Sequence, residues 1–513
     1  MGGPRVRDGA GLAAGARVGA HDLGGFMDIA IIGGGAAAVA LLDALATARD
    51  GGAAGGTVTV FEPSPRLWRG RPYGPDLDAV RVNAPPALMS VRHGDFGHYA
   101  DWLGDGLAAR HVDPLFGQPL VPRALYGTYL EHTAEKAMAA LAEQGRTVHV
   151  VPERVTGVAG AGPRGRLTLH TGGGREFEAD RLALCVGGGT PPDPYGLAGA
   201  PGFVADPYPL ARGLREVPYG DEVAVIGSGL TAVDVVVALA ARGHTGPVAL
   251  LSRSGVLPHV WQRPDGRRPR HLTPERVAEL HAARGGLALD DLVGLLRAEL
   301  AEEGEDFDAL AAGLLATGHE DPVRRLRAQL AAVDDPRIGR RVVQAAAHTV
   351  GPVAWRLLPG ADRARLRRHA RTAVSVASPM VPGNAAVLLR LLDSGQLTVV
   401  PGVRGIEPVS GRFRIRHGGG TRAAGSVVNA VNPPPQTVPA AARELVRALA
   451  VAGLATVHPS GGLLPADPRV QVVGDLTGGG PFLTASVPGV TVQAAAAARA
   501  FGDPRGDGAP VSA

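Results

Sequence analysis

The stretch Asp28-Ile-Ala-Ile-Ile-Gly33-Gly-Gly35-Ala36-Ala-Ala38, continued by an Ala/Leu-rich segment and closed by Thr57-Val-Thr-Val-Phe61-Glu62, decides the fold. The apolar run 29–32 reads as a buried parallel strand, the glycines as a turn opening a helix, and 58–61 as a second strand ending on a carboxylate. Together they make a βαβ unit of the dinucleotide-binding type. Gly33 permits the tight turn, and Gly35 lets the backbone approach a pyrophosphate with no Cβ in the way. Ala38, where a third glycine is common, still allows close helix packing. The helix start at Ala36 offers free N–H groups and the positive end of its dipole to phosphates. Glu62 stands where a carboxylate accepts hydrogen bonds from ribose hydroxyls. Its distance from Gly35 exceeds the usual spacing of about 20 residues, and the Gly-rich segment 51–56 accounts for the excess.

At 513 residues the chain has room for several domains and a large core. With 45% hydrophobic and 19% charged residues it has the composition of an ordinary globular protein. The formal net charge of +4 is carried almost wholly by arginine, Lys136 being the only lysine. No basic run is interleaved with aromatics, so nucleic acid is not the expected partner. Cys185 is the single cysteine, which excludes an internal disulfide and the cysteine pair of disulfide reductases. Its apolar setting reads as a buried strand. His93, His98, His259 and His369 are scattered without metal-ligand spacing, and no metal is expected. The apolar segments from Met27 and Val223 each hold a glycine turn and an aspartate, which fits strand-turn-helix and not a membrane span. Residues 1–26 lack an apolar signal core and read as a disordered tail, or as sequence upstream of a start at Met27. The residues after Phe501 read as a frayed tail, and a cytoplasmic location is expected.

After Glu62 a Pro/Gly-rich loop carries Arg66 and Tyr73 to Val82-Asn83-Ala-Pro-Pro-Ala-Leu-Met89-Ser90, long irregular backbone of the kind that serves a neighbouring site. The apolar spacing predicts helices at 96–103 and 125–144, the latter placing Tyr126 and Tyr129 in the core, and strands at 148–151, 155–158, 166–170 and 182–186. A second signature follows: Glu222-Val-Ala-Val-Ile-Gly227-Ser228-Gly229-Leu230-Thr231-Ala232, then a helix and a strand ending in Ser252-Arg253. An acid at that end would repel a 2′-phosphate, whereas an arginine and a hydroxyl would bind one, so this site looks built for NADPH. Residues 148–158 are echoed by 397–406, and 165–175 by 411–422, which indicates a duplication. Between the halves, 271–370 predicts helices at 275–283, 289–302, 308–315, 322–332 and 342–358, forming a lid or substrate domain, or else a scaffold or dimer contact. Near the end, Val470-Gln-Val-Val-Gly474-Asp475 brings a carboxylate toward a ribityl hydroxyl. The helix containing Val490 then turns its N-terminus to isoalloxazine carbonyls.

The fold predicted is α/β, with two Rossmann-like dinucleotide-binding domains, the second inserted in the first, plus a helical insert. The FAD-binding domain is expected at 27–195 and 436–513, the NADPH-binding domain at 196–270 and 371–435, and the insert at 271–370.

From Asp28 to about Phe501 the pattern resembles the flavoproteins with two dinucleotide-binding domains. More narrowly, Phe61-Glu-Pro-Ser-Pro-Arg66 with Tyr73-Gly-Pro, Val82-Asn83-Ala-Pro and Arg123-x-x-Tyr126-Gly-x-Tyr129-Leu resemble the FAD/NAD(P)-binding family related to class B flavin monooxygenases. That family is similar to the ornithine and lysine N-hydroxylases and includes enzymes that oxidise aspartate to nitrosuccinate. Departures are Ala38 for the third glycine, and Val428-Asn429-Ala-Val-Asn432-Pro where many relatives have an Ala-Thr-Gly type motif. The resemblance implies FAD and NADPH as cofactors, O2 as co-substrate, and N-hydroxylation of an amino acid or amine through a C4a-hydroperoxyflavin in natural-product biosynthesis. Asn83, Met89 and Ser90 would face the flavin, and Trp261, Gln262 and Asn432 the substrate mouth, while no catalytic residue is singled out. An oxidoreductase or oxidase without oxygen transfer, and a non-catalytic FAD-binding protein, remain open, as does a homo-oligomeric state.

Overall fold

The computed structural model describes residues 26–48, 55–160, 165–459, 461–480 and 486–502. Of the tails read at 1–26 and after Phe501, residues 1–25 and 503–513 lie outside the described residues, as does most of the Gly-rich segment before the second strand.

Strand β1 (Ile29–Ile32) is buried at every position because both faces of its sheet are covered, as its unbroken apolar run requires. It leads into α1 (Ala36–Thr47) and β2 (Gly56–Phe61). Next come α2 (His98–Arg110), α3 (Arg123–Glu143), β3 (Arg146–Val151), β4 (Val155–Gly160), β5 (Leu167–Thr171), β6 (Glu176–Ala179) and β7 (Arg181–Leu184). A second unit opens with β8 (Phe203–Val204), α4 (Leu210–Gly213), β9 (Val223–Ile226), α5 (Leu230–Ala241) and β10 (Val248–Leu251). A run of helices follows: α6 (Pro274–Arg284), α7 (Leu289–Ala301), α8 (Phe307–Ala316), α9 (Pro322–Ala331), α10 (Gly339–Thr349), α11 (Gly351–Leu357), α12 (Gly360–Arg368) and α13 (Ala370–Ala377). The second unit resumes with α14 (Pro382–Asp393), β11 (Leu397–Val400), β12 (Gly405–Val409), β13 (Arg412–His417), β14 (Gly420–Ala424) and β15 (Ser426–Asn429). The chain closes with α15 (Arg443–Val451), β16 (Ala455–Val457), β17 (Leu463–Pro465), β18 (Val470–Val472) and α16 (Val487–Gly502).

Two five-stranded sheets result, ordered β18-β7-β1-β2-β3 and β11-β10-β9-β15-β8, and every pairing within them is parallel. All strands of the second sheet fall in the chain interval between β7 and β18, which are neighbours in the first. Each half also carries an antiparallel trio, β4-β5-β6 and β12-β13-β14, so the repeat in the sequence is a repeat of structure. The helical run has its own core around Val277, Leu295, Leu300, Val342 and Ala354.

One expected element divides. The stretch 342–358 is two helices, α10 and α11, because Pro352 stands in the first turn of α11, where its missing N–H costs nothing but cannot continue α10. The strand expected at 182–186 ends at Leu184, and Cys185 begins an irregular segment.

Candidate cofactor and active site

The carboxyl ends of β1, β2, β7 and β18 open on one cavity of about 930 Å3, the position where parallel α/β sheets bind ligands. At its rim Gly33 has φ +105°, and its N–H donates to Phe61 O across 2.9 Å. A Cβ there would lie 2.5 Å from Cys185 O, so only glycine fits. Gly35 differs: a Cβ would meet nothing nearer than Gly70 Cα at 3.6 Å, so the space it leaves faces the cavity. Gly35 caps α1 without any side-chain bond, and Gly35, Ala36 and Ala37 line the cavity. The uncapped N–H groups of α1 therefore suit a diphosphate. Ala38 is buried behind them and serves packing alone.

Glu62 is held in place by two backbone donors, Gly34 N–H to Oε2 (2.8 Å) and Ser64 N–H to Oε1 (2.7 Å). Each oxygen keeps a lone pair for a ribose hydroxyl. Arg66 lines the same wall, and among the described residues its guanidinium makes no hydrogen bond or ion pair. Asn83 and Met89 line the cavity, but Ser90 does not: its hydroxyl donates to Asp95 O. Across the cavity Gly474, at φ +99°, donates its N–H to Gln493 Oε1 (2.6 Å). The wall continues through Asp475 and, around the start of α16, Ser486, Val487, Pro488 and Val490. Asp475 is packed so closely on Gly188 that a Cβ there would come within 2.9 Å of its carboxylate. This cradle, with backbone donors, an anchored carboxylate at each end and an unpaired guanidinium, fits FAD.

The second signature repeats the first. Gly227 has φ +119°, its N–H donates to Leu251 O (2.7 Å), and Gly229 caps α5 without a side-chain bond. Ser228 Oγ donates to Val256 O (2.8 Å), and Ser252 Oγ accepts the Gly255 N–H (2.7 Å). Arg253 is exposed, with no ion pair among the described residues. Thr231, one residue after Leu230 in the first turn of α5, donates to Asn432 Oδ1 (3.2 Å). None of these residues except Asn432 lines the large cavity.

Of the substrate-mouth residues, Trp261 and Asn432 line the cavity and Gln262 does not. Trp261 Nε1–H donates to Asn83 O (2.8 Å), tying the second unit to the first. Gln262, next along an extended segment, points the opposite way. It is buried, and its amide donates to Ala332 O and Asp335 O. The sequence reading missed Arg71, Asp206, Tyr208, His348 and the segment from Ala377 to Pro379, all on the cavity wall. His348 Nε2–H donates to Ala377 O (2.6 Å), and burial lowers its basicity. It belongs to α10, so the helical insert reaches the cavity. Arg71 pairs with Asp206 (2.5 Å), and Tyr208 hydrogen-bonds Asp234. Behind them Arg123, at the start of α3, meets Asp234 of α5 across 2.6 Å in a buried ion pair between the two units. No local motif announces these contacts, which only the tertiary fold creates.

Cys185 lines the cavity with its thiol pushed up to about 12 by burial, so it stays protonated. His259 is a core residue bonded to Thr317 and Gln329, and burial pushes it down to about 3. Among the described residues no cluster of His, Cys, Asp or Glu could hold a metal ion, and no helix is long and apolar enough to cross a membrane.

Two nested dinucleotide-binding units sharing one cavity define the class. Residues 30–189 match the family model described as FAD-NAD(P)-binding. No curated protein matches the sequence. Among solved structures, the L-lysine 6-monooxygenase from Pseudomonas syringae is similar, at 16% identity and TM-score 0.54, over 93% of this chain and 99% of that one. The FAD-bound cadaverine monooxygenase of desferrioxamine biosynthesis from Erwinia amylovora has 12% identity and TM-score 0.55, over 95% and 96%. The ornithine N-hydroxylase from Kutzneria sp. 744, with FAD, NADP+ and L-ornithine, has 14% identity and TM-score 0.50, over 93% and 99%. At these identities the likeness establishes the fold.

Proposed function

We propose that this chain is an FAD- and NADPH-dependent monooxygenase that N-hydroxylates the amine of an amino acid or similar small metabolite, acting in the cytoplasm in natural-product biosynthesis. The observation that carries the reading is the single cavity of about 930 Å3, which continues from the dinucleotide cradle to a wall built by the second unit and the helical insert. That continuation leaves a screened space for a small acceptor beside the flavin. Solved structures of the same fold that act on lysine, cadaverine and ornithine support the choice of amine.

In this reading Gly33 makes the turn, its own N–H being spent on Phe61 O, and Gly35 and Ala36 hold the FAD diphosphate through backbone N–H groups, with Arg66 adding charge. Glu62 takes the ribose, Asp475 the ribityl chain, and Val490 packs beside the flavin. Gly227, Ser228, Gly229, Leu230 and Thr231 hold the NADPH diphosphate, and Ser252 and Arg253 the 2′-phosphate. Bound flavin would supply the redox chemistry, namely hydride acceptance from NADPH, activation of O2 and oxygen transfer to the amine. The chain's own work is to orient the partners and keep water out, with Trp261, Asn432, His348 and Ser378 closing the far wall. The division of the chain into an FAD domain at 27–195 and 436–513, an inserted NADPH domain at 196–270 and 371–435, and a helical insert at 271–370 follows from the same assignment.

The test is anaerobic reduction of FAD-loaded protein by NADPH, followed by O2 with a panel of amino acids and diamines and mass analysis of products. A product heavier by one oxygen, labelled from 18O2, supports the reading. Reduction followed by peroxide alone, with every amine unchanged, replaces it with an oxidase or reductase.

A further inference from the structure

The chain is poor in aromatics, 4% in all with seven tyrosines, yet Tyr73, Tyr126, Tyr99 and Tyr129 gather in one file. Tyr73 lines the cavity. Its ring centroid lies 4.7 Å from that of Tyr126, which lies 5.2 Å from Tyr99 and 5.4 Å from Tyr129. Trp102 follows at 5.4 Å from Tyr129, and His132 at 6.4 Å from Trp102. Tyr99, Tyr126 and Tyr129 are fully buried, Trp102 is half-buried and His132 is exposed. The file therefore runs from the cavity wall through the core to the surface.

Core packing accounts for rings in contact, but the polar ends add something packing does not need. The Tyr129 oxygen accepts the Val91 N–H (3.1 Å), which leaves its own hydrogen for His98 Nδ1 at 2.8 Å. Burial, with the Arg92 guanidinium, holds His98 below the usual histidine range against the opposing pull of Asp43, Asp95 and Asp101. Its imidazole is thus neutral, with a lone pair for the phenol. Burial chiefly pushes the Tyr129 phenol up to about 12, so it does not ionise by itself. A phenol that loses an electron becomes a strong acid, and His98 is placed to take that proton.

We propose that Tyr73, Tyr126, Tyr129 and Trp102 form a one-electron relay that drains oxidising equivalents from the cavity to the protein surface, with His98 as the proton acceptor of Tyr129. The relay rests on the reading that reduced flavin meets O2 in this cavity. Superoxide, the one-electron product of reduced flavin and O2, takes an electron from Tyr73 and two protons from water to become hydrogen peroxide, and Tyr73 is refilled through Tyr126 from Tyr129. The O–H bond of Tyr129 breaks as its proton forms an N–H bond at His98 Nδ1. Trp102 then returns an electron and His98 the proton. A soluble thiol at the surface re-reduces Trp102, losing one electron to it and one proton to water.

Transient absorption after a blue flash tests this on the FAD-loaded full-length protein without NADPH or turnover, because photoexcited oxidised flavin is itself a one-electron oxidant. Wild-type protein is expected to show a tyrosyl and then a tryptophanyl radical. Tyr73→Phe should remove both signals. Trp102→Phe, away from the cofactor cradle, should leave flavin binding unchanged, abolish the tryptophanyl signal and shorten the radical lifetime several-fold. His98→Gln should slow tyrosyl formation several-fold, which a purely structural role would not do. Bound FAD with no radical, or identical lifetimes in wild type and Trp102→Phe, overturns the relay alone. Failure to bind FAD at all overturns both the relay and the flavoprotein reading.

Discussion

In the first unit Gly33 sits at φ +105° and bonds Phe61 O across 2.9 Å; in the second Gly227 sits at +119° and bonds Leu251 O across 2.7 Å. Both turns deliver an uncapped helix start, at Gly35 and at Gly229. Beyond that turn the units diverge. The first ends its next strand on Glu62, tied down by two backbone donors, and is roofed by the loops, the second unit and α16. The second ends on Ser252 and an exposed Arg253, and its turn lies outside the shared cavity. The turn sets where a diphosphate goes, while the strand end and the roof set which nucleotide binds and how readily it leaves. On the proposed reading, FAD is retained and NADPH exchanges.

The sharpest way to break that comparison is to spoil each turn separately. Gly33→Val drives a Cβ into Cys185 O and is expected to cost on the order of 3 kcal/mol or more, with no flavin retained on purification. Gly227→Val should keep flavin absorbance yet lose reduction by NADPH. Equal loss of flavin from both variants would refute the division of labour. Next in size, Asp234→Ala leaves Arg123 buried and unpaired, at a cost of about 3 to 5 kcal/mol in chemical denaturation. Asp43→Ala should cost less, since its partner Arg92 is 34% exposed against 10% for Arg123.

Arg253→Ala probes the open strand end. We expect KM for NADPH to rise about 10- to 100-fold, the worth of one or two charge-assisted bonds, with KM for NADH nearly unchanged. A parallel rise for NADH would assign Arg253 a role other than the 2′-phosphate. The smallest effect concerns His259, which ties the second unit to the helical insert through Thr317 and Gln329. Its folded form resists a proton that the unfolded chain accepts below about pH 6.5, so stability is full above that pH and falls as pH drops toward about 3. By pH 5 the loss is about 2 kcal/mol, and His259→Gln should remove that share of the slope in denaturation at graded pH.

Both βαβ units were legible because their signals are local: an apolar strand, a glycine turn and a helix within one short stretch. The duplication was legible for the same reason, each trio of strands carrying its own alternation. The wall of the cavity was not. Trp261 and Gln262 are adjacent in sequence and similar in promise, and only the bridge of Val260 to Met380 decides which faces inward. His348 and the Arg71–Asp206 pair belong to no motif, because their partners come from distant elements. Cys185 read correctly as buried, but nothing local reveals that the residue also lines the cavity.

The nesting of one sheet inside the other also has a temporal side. Val470 of β18 completes the first sheet by pairing with Leu182 of β7, while every strand of the second sheet leaves the ribosome in between. At about 5 to 20 residues per second, the edge of β7 waits on the order of 15 to 60 s for its neighbour. During that interval the inserted unit holds all its strands while its host lacks one. An open apolar edge is a template for aggregation, so the growing chain is most exposed to misassembly, and most in need of chaperones, while its insert is being made.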